Sequence, residues 1–387
     1  MNLYEFEGKE LFAKHGLVIP RGVVVRSGEN YAEKYQQLGI VDVVVKAQIL
    51  SGKRGKNNGI KFCSSANEVV GACAELFANQ IKGMQVTSVL IEEKLNIVEE
   101  HYCSVVYDTN NKQPVLIYSS QGGMDIEEVS EDKILRIPLD IRTGKLPEAQ
   151  ANWDFAQKLY TVFLSEDARV AEINPLVKTA EGNWVAADAK IALDDDAFYR
   201  HKEWETLEPR TMLGRAPTER EILVKKIDEG ENYYRGTAGK YIEMDGDIGL
   251  ILNGGGASIA NMDALLAVGL KPANYTEYSG NPPREKVYAL AKIVLSKPGL
   301  KGLWMCGVVA NFTNMKDTFM GIIDALDEIK PTYPIVVRRD GPESAEAMEL
   351  MRECGERNNL NMKLFTKAMP MGDTAQILAD MVNQKSL

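Results

Sequence analysis

The chain has 387 residues, 45% hydrophobic and 26% charged, with 32 glycines and 15 prolines; this is a folded α/β composition, too long for one hydrophobic core and unlike a fibrous or disordered chain. Its 55 acidic against 45 basic side chains leave a net charge of −10, which excludes broad attraction to nucleic acid or anionic membrane, so any anionic ligand must meet a local basic pocket. The start Met1-Asn2-Leu3-Tyr4-Glu5-Phe6 lacks the basic and apolar regions of a signal peptide, and no apolar run approaches the roughly 20 residues of a membrane span, so a cytoplasmic location is expected.

Apolar positions at helical spacing predict an opening helix over 3–15, ending at Gly16. A small α/β lobe is expected over about 21–98: strands at Gly22–Arg26, Val41–Leu50, Ile60–Cys63 and Ser88–Leu95, with helices between, one from Ala66. Strands dominate from 100 to about 195, among them Tyr102–Tyr107 and Val115–Tyr118, interrupted by a helix near Trp153–Leu164 and closed by a hairpin. The charged stretch 196–240, with Pro209, Pro217 and a helix over Glu219–Tyr234, reads as a connection, and the domain boundary is placed near 240. Beyond it, three strand–loop–helix units starting at Ile248, Gly302 and Ile335, with a last strand near Leu364, predict a doubly wound parallel sheet.

Two features of the first half carry chemistry. Strand Val43-Val44-Val45-Lys46 runs into Ser51-Gly-Lys-Arg-Gly-Lys-Asn-Asn-Gly59, where glycine N–H groups and the charges of Lys53, Arg54 and Lys56 can surround a polyphosphate; a solvated basic turn would have the same composition. The hairpin Val170–Val177 and Trp184–Ile191 turns through Glu181-Gly182-Asn183. Alternation puts Glu172 and Asn174 on one face of its first strand, and Asp188 and Lys190 on one face of the second. With Asn174 opposite Asp188, two oxygen ligands converge into a Mg²⁺ site that a triphosphate would complete; the alternative is a surface hairpin with a Glu172–Lys190 ion pair.

In the second half, Gly249-Leu-Ile-Leu-Asn-Gly-Gly-Gly-Ala-Ser258 passes from strand into helix and presents unpaired N–H groups to an anion. Cys306-Gly-Val-Val-Ala-Asn-Phe-Thr-Asn314 forms a second such turn, and Arg338-Arg339-Asp340-Gly341 lies at the same level of the third unit. Asn311, Thr313 and Arg339 could together grip a polycarboxylate; each turn taken alone could be purely structural. The five cysteines are scattered without a C-x-x-C pair and read as reduced structural thiols, and the three histidines are far apart.

Lys46, the Gly-Lys-Arg-Gly loop, Gln121-Gly-Gly-Met-Asp-Ile-Glu127 and Glu172-Ile-Asn-Pro-Leu-Val177 with Asp188 resemble the ATP-grasp half of succinyl-CoA synthetase β subunits and ATP-citrate lyases. Tyr275-Thr-Glu-Tyr-Ser-Gly280, Ala310-Asn-Phe-Thr-Asn314 and Val337-Arg-Arg-Asp-Gly-Pro342 resemble ATP-citrate lyase and citryl-CoA synthetase; the succinate enzymes ordinarily have a Gly-Gly turn at the second of these. The resemblance implies an ATP-grasp domain over 1–240 followed by a flavodoxin-like CoA-ligase domain over 241–387. It further implies that Lys46, Lys53, Arg54 and Gly55 hold phosphates, that Glu92 and Glu100 contact the nucleoside beside Leu95, that Asn174 and Asp188 bind Mg²⁺, and that Glu172 faces a phosphohistidine. Asn253, Gly280, Asn311, Phe312, Thr313 and Arg339 would bind citrate. The implied activity is ATP- and Mg²⁺-dependent formation of citryl-CoA by way of citryl phosphate. No histidine here lies in a glycine-rich loop and no further domain is present for CoA, so a second subunit is expected to carry the phosphohistidine, the CoA site and, for a lyase, a citrate-synthase-like module yielding acetyl-CoA and oxaloacetate. A citryl-CoA synthetase subunit without lyase activity and a succinate or malate CoA ligase β subunit are the alternatives.

Overall fold

A computed structural model describes residues 1–50, 54, 57–208, 210, 217–229 and 235–384. The chain forms two compact units, 1–216 and 217–387. Among the described residues, no helix is long and apolar enough to cross a membrane.

In the first unit, helix α1 (Glu5–Lys14) leads into β1 (Gly22–Arg26), α2 (Tyr31–Leu38), β2 (Val43–Gln48), β3 (Ile60–Cys63), α3 (Ala66–Ala78), a short β4 (Gln80–Ile81) and β5 (Met84–Gln85) hairpin, and β6 (Ser88–Glu93). The order β1-β6-β2-β3 makes a four-stranded antiparallel sheet. It shares a core with α2 and α3 that includes Val25, Val45, Ile91, Val69 and Cys73. Ser65 caps α3 by accepting the Glu68 N–H. A second, antiparallel sheet comprises β7 (Ile97–Asp108), β8 (Gln113–Ser119), β9 (Leu135–Pro138), β10 (Ala168–Thr179), β11 (Trp184–Ala186) and β12 (Lys190–Leu193). It packs with α4 (Asp154–Ser165) and α1 around Phe12, Tyr160, Phe163 and Ile173.

The second unit begins with α5 (Glu219–Lys225) and β13 (Thr237–Glu243). It continues through β14 (Ile248–Asn253), α6 (Gly255–Ala267), β15 (Asn274–Ser279), α7 (Arg284–Leu295), β16 (Gly302–Val309) and α8 (Met315–Ile329), and ends with β17 (Ile335–Asp340), α9 (Ser344–Arg357), β18 (Met362–Phe365) and α10 (Met371–Gln384). The sheet order is β13-β15-β14-β16-β17-β18, with β13 antiparallel at the edge and the other strands parallel. Counted along the parallel strands this is the 2-1-3-4-5 order of the flavodoxin type, with its crevice at the strand C-termini. Alternate residues of one strand serve opposite faces. Leu303 and Met305 join α7, α8 and α9 on one side, while Trp304 and Cys306 join α6 and α10 on the other.

Three expectations change. The chain divides between 216 and 217 rather than near 240, because α5 is tied to β13: Arg220 forms a two-pronged pair with Glu243, whose N–H donates to Glu221. The helix expected over Glu219–Tyr234 ends at Lys225, followed by a single 3₁₀ turn to Asp228; the Asp228 carboxylate instead accepts the Ala238 and Gly239 N–H groups and the Lys286 ammonium. Residues 230–234 lie outside the described residues. Strand β15 was not expected at all, since Asn274-Tyr-Thr-Glu-Tyr-Ser279 has no apolar pattern. Its buried polar side chains add to the ladder with β13: the Asn274 amide bonds both the N–H and C=O of Leu250, and Thr276 Oγ1 donates to Lys240 O.

Candidate functional site

In the first unit, Lys46 sits fourth on the wholly buried β2. Its ammonium donates to Glu5 Oε1 at 3.0 Å and to Ala187 O at 2.8 Å, and pairs with Glu92. Arg54 reaches the same place, with Nη1 on Glu5 and Nη2 2.7 Å from Asp188 Oδ1. Lys9 completes the group, 2.8 Å from Glu5 and 2.6 Å from Glu92. Three cations therefore face three carboxylates in a buried cluster. Burial opposes ionisation of Glu5, but Arg54, Lys46 and Lys9 outweigh it and hold that carboxyl well below the usual range. Burial likewise opposes charge on Lys46, and Glu5 and Glu92 reverse the effect, so its pKa is raised. Two of the three cations expected at phosphates, Lys46 and Arg54, are thus fixed and fully charged. Lys53 and Gly55 lie outside the described residues.

The hairpin has the expected register. Leu176 pairs with Ala186 and Glu172 with Lys190, so the count on both sides of the gap sets Asn174 across from Asp188. Asn174 Oδ1 accepts the Gly123 N–H at 2.9 Å and its Nδ2 donates to Met124 O at 2.9 Å, which fastens the glycine loop 121–124 to β10. Asp188 Oδ1 takes Arg54 and its neighbour's N–H at 2.7 Å. A carboxylate and a carboxamide oxygen are hard donors of the kind Mg²⁺ prefers, so the pair fits that ion. Glu172 accepts from Tyr102 Oη at 3.0 Å, and Lys190 stands 3.5 Å away.

The remaining nucleotide positions separate. Leu95 packs on Val177, Val185 and Ala187. Glu100 adjoins the glycine loop: its carbonyl accepts the Gly122 N–H, and a Cβ on Gly123 would lie 2.2 Å from its carboxylate. Glu92 is bonded to Lys9 and Lys46. Sequence reasoning missed Glu5, Lys9 and Tyr102. The spacing of Glu5, Lys9 and Phe12 at i, i+4 and i+7 was the available signal, because it places two charges on the buried stripe of α1.

In the second unit, the turns after β15, β16 and β17 are stitched together. Asn281 Oδ1 accepts the Asn314 N–H at 2.8 Å, Ala310 N–H donates to Asp340 O at 2.8 Å, and Asn314 Nδ2 donates to Glu343. Gly280 has a φ of +69° and its Cβ position is 3.3 Å from Gly236 Cα, a site suited to glycine. Asn253 ends β14, donates to Tyr278 O and accepts from Arg339 Nη1 at 2.6 Å. Arg339 is 1% exposed and its guanidinium lies 5.6 Å from the Tyr278 ring centroid. Its Nε and Nη2 are buried without any hydrogen-bond partner among the described residues, and no carboxylate there pairs with it. Thr313 is buried beside the exposed Asn311 and Phe312. Arg338, by contrast, bonds the Gly307, Lys367 and Met369 carbonyls and is structural. Asp340 accepts N–H groups from Gly341 and Lys367. The sequence reading missed Gly307, where a Cβ would meet Arg339 Nη1 at 2.4 Å, and Tyr278.

The cysteines are buried thiols. Burial raises Cys73 to about 12, and Cys306 and Cys354 to about 11 each, which leaves none of these three activated.

Comparison with known proteins agrees with this division. Residues 2–178 match the ATP-grasp domain model, and residues 215–380 match the ATP citrate lyase citrate-binding model. The chain is 36% identical to a succinate–CoA ligase (ADP-forming) β subunit from Desulfurococcus amylolyticus, covering 92% of this chain and 94% of the relative. It is 34% identical, with the same coverage, to the corresponding protein of Staphylothermus marinus. The fold matches an ATP citrate lyase from Methanothrix soehngenii, solved with citrate and coenzyme A, at a TM-score of 0.79 and 24% identity, covering 98% of this chain and 99% of that one. The chain belongs to the family of ADP-forming succinate–CoA ligase β subunits, with an ATP-grasp domain followed by a domain that matches the ATP citrate lyase citrate-binding model.

Proposed function

We propose that this chain is the ATP-using, citrate-binding subunit of an ATP-citrate lyase, forming citryl-CoA together with a second subunit. The observation that carries the reading is Arg339: a buried guanidinium with two unbonded donors at the point where three strand-end turns meet. Leaving such donors dry is costly, and a tricarboxylate satisfies them in the forked geometry that arginine favours. Asn253, Gly280, Asn311, Phe312 and Thr313 frame the same ligand.

In the first unit, Lys46, Lys53, Arg54 and Gly55 hold the ATP phosphates, and Glu92, Leu95 and Glu100 border the nucleoside. Asn174 and Asp188 hold Mg²⁺, which when bound neutralises polyphosphate charge. Glu172 faces a phosphohistidine loop of the partner subunit. The phosphoryl group passes from ATP to that histidine and then to a citrate carboxylate, and the CoA thiol displaces phosphate from the acyl phosphate. CoA is bound mainly by the partner, which also decides whether citryl-CoA is cleaved to acetyl-CoA and oxaloacetate or released.

A succinate–CoA ligase is the second reading, favoured by the names of the relatives at 34–36% identity. Calorimetric titration of the chain with citrate, succinate and malate at saturating Mg²⁺-ADP separates the two. Citrate alone should bind, and Arg339→Ala should weaken it roughly 10- to 150-fold, the worth of a charged hydrogen bond, with nucleotide affinity unchanged. Binding of succinate instead of citrate would establish the second reading, and binding of malate instead would point to a malate–CoA ligase.

A further inference from the structure

We propose that Glu166, His201 and Glu203 form a binding site for a divalent cation of the zinc class, sharing no residue with the phosphate clamp. One ligand atom from each lies within 4.8 Å of the other two. They come from two segments of the first unit: Glu166 follows α4, while His201 joins the two 3₁₀ turns at 195–200 and 202–206 and Glu203 lies in the second.

The histidine is already oriented as a ligand. Its ring stacks on Trp204 with centroids 4.1 Å apart and planes 5° from parallel. Nε2 lies 2.6 Å from Asp167 Oδ2, and Asp167 is held in turn by both prongs of Arg200. A proton on Nε2, donated to Asp167, leaves the lone pair on Nδ1, which stands 3.2 Å from Glu203 Oε1. This carboxylate–histidine arrangement is the one that fixes the tautomer of a metal-ligating imidazole.

A second observation points to a ligand. Glu166 is 1% exposed; its Oε1 receives Lys14 and lies 2.7 Å from His15 Nε2, but its Oε2 is buried with no hydrogen-bond partner. Buried carboxylate oxygens are rarely left so. Two carboxylates balance a dication, and the competing Lys14 ammonium on Glu166 is half-exposed. Imidazole with carboxylate suits zinc better than magnesium or calcium, which prefer oxygen alone. The cation would staple the α4–β10 turn to the 3₁₀ segment, bracing β10, the strand that carries Glu172 and Asn174.

The test uses the untagged full-length chain, freed of metal by chelator and titrated calorimetrically with Zn²⁺ in excess Mg²⁺, so that the hard-oxygen site is masked. One equivalent of Zn²⁺ should bind and raise the thermal midpoint. Glu203→Gln and His201→Gln should each lower the affinity by about 100-fold or more and remove the thermal shift. Glu203 is largely exposed, so its variant should melt like the parent without metal. Absence of stoichiometric Zn²⁺ binding, or equal affinity in parent and Glu203→Gln, would reduce the cluster to an ion-pair network and overturn the proposal.

Discussion

Glu5 illustrates how a residue outside any recognised motif can govern one inside it. It is buried and holds Lys9, Lys46 and Arg54 at once, so Glu5→Gln leaves three buried cations facing two carboxylates. Removing one partner from such a group costs about 3–5 kcal/mol, which denaturant unfolding should register together with weaker Mg²⁺-ADP binding. The same carboxylate sets an acid limb. Its folded pKa is depressed below the 4.5 of the free side chain, so its stabilisation is complete above that pH and disappears as pH falls through the folded value. Stability measured downward from pH 4.5 should therefore fall more steeply in the parent than in Glu5→Gln. Gly307 makes the parallel case in the second unit. A methyl there would meet Arg339 Nη1 at 2.4 Å and Asn253 Cβ at 2.9 Å. Gly307→Ala should cost about 1–3 kcal/mol of stability and abolish calorimetric citrate binding while leaving nucleotide binding intact.

At the scale of elements, the sequence was most legible where apolar periodicity met turn chemistry. Strands Gly22–Arg26 and Ile60–Cys63, and the helix starting at Ala66, lie where alternation and capping put them. The hairpin register could be counted from its turn because a one-residue slip would turn every apolar side chain outward. Strand β15 escaped because buried positions on it are polar: the Asn274 and Thr276 side chains bond backbone, which period counting does not see. The buried pairing of Lys46 with Glu5 escaped for a related reason: phosphate ligands are visible as basic residues near glycine, but the acid that fixes them lies on another element 41 residues away. The glycine loop 121–124 shows the same long-range dependence. A Cβ on Gly122 would sit 2.2 Å from His101 O and 2.6 Å from His101 N, so the loop crosses β7 with no room for a side chain. Gly122→Ala should lift the loop from β10, break the Gly123–Asn174 and Asn174–Met124 bonds, and raise amide exchange across 121–127. Retention of parent-like exchange there would mean that the loop is held by something other than this close approach.

For the molecule as a whole, the two units carry separate hydrophobic cores, Leu3 to Trp204 and Val25 to Ile91 in the first, Val224 to Cys354 and Ile248 to Val382 in the second. Each also has its own candidate ligand, and a ligand stabilises only the cooperative unit it binds. Scanning calorimetry should therefore show two transitions, with Mg²⁺-ADP raising one and citrate the other. A ligand at about 100 times its Kd adds about 2.7 kcal/mol, and units of this size shift by roughly 2–4 °C per kcal/mol, so each midpoint should move by about 5–10 °C. Asp188→Asn should remove the first shift and Arg339→Ala the second, each without disturbing the other. If a single transition appeared and both ligands raised it, the units would unfold as one cooperative body and the division at 216 would have no thermodynamic meaning. Independent shifts would instead assign nucleotide and carboxylate to different domains, so that the phosphoryl group must be carried between them, which is the task the proposed partner histidine performs.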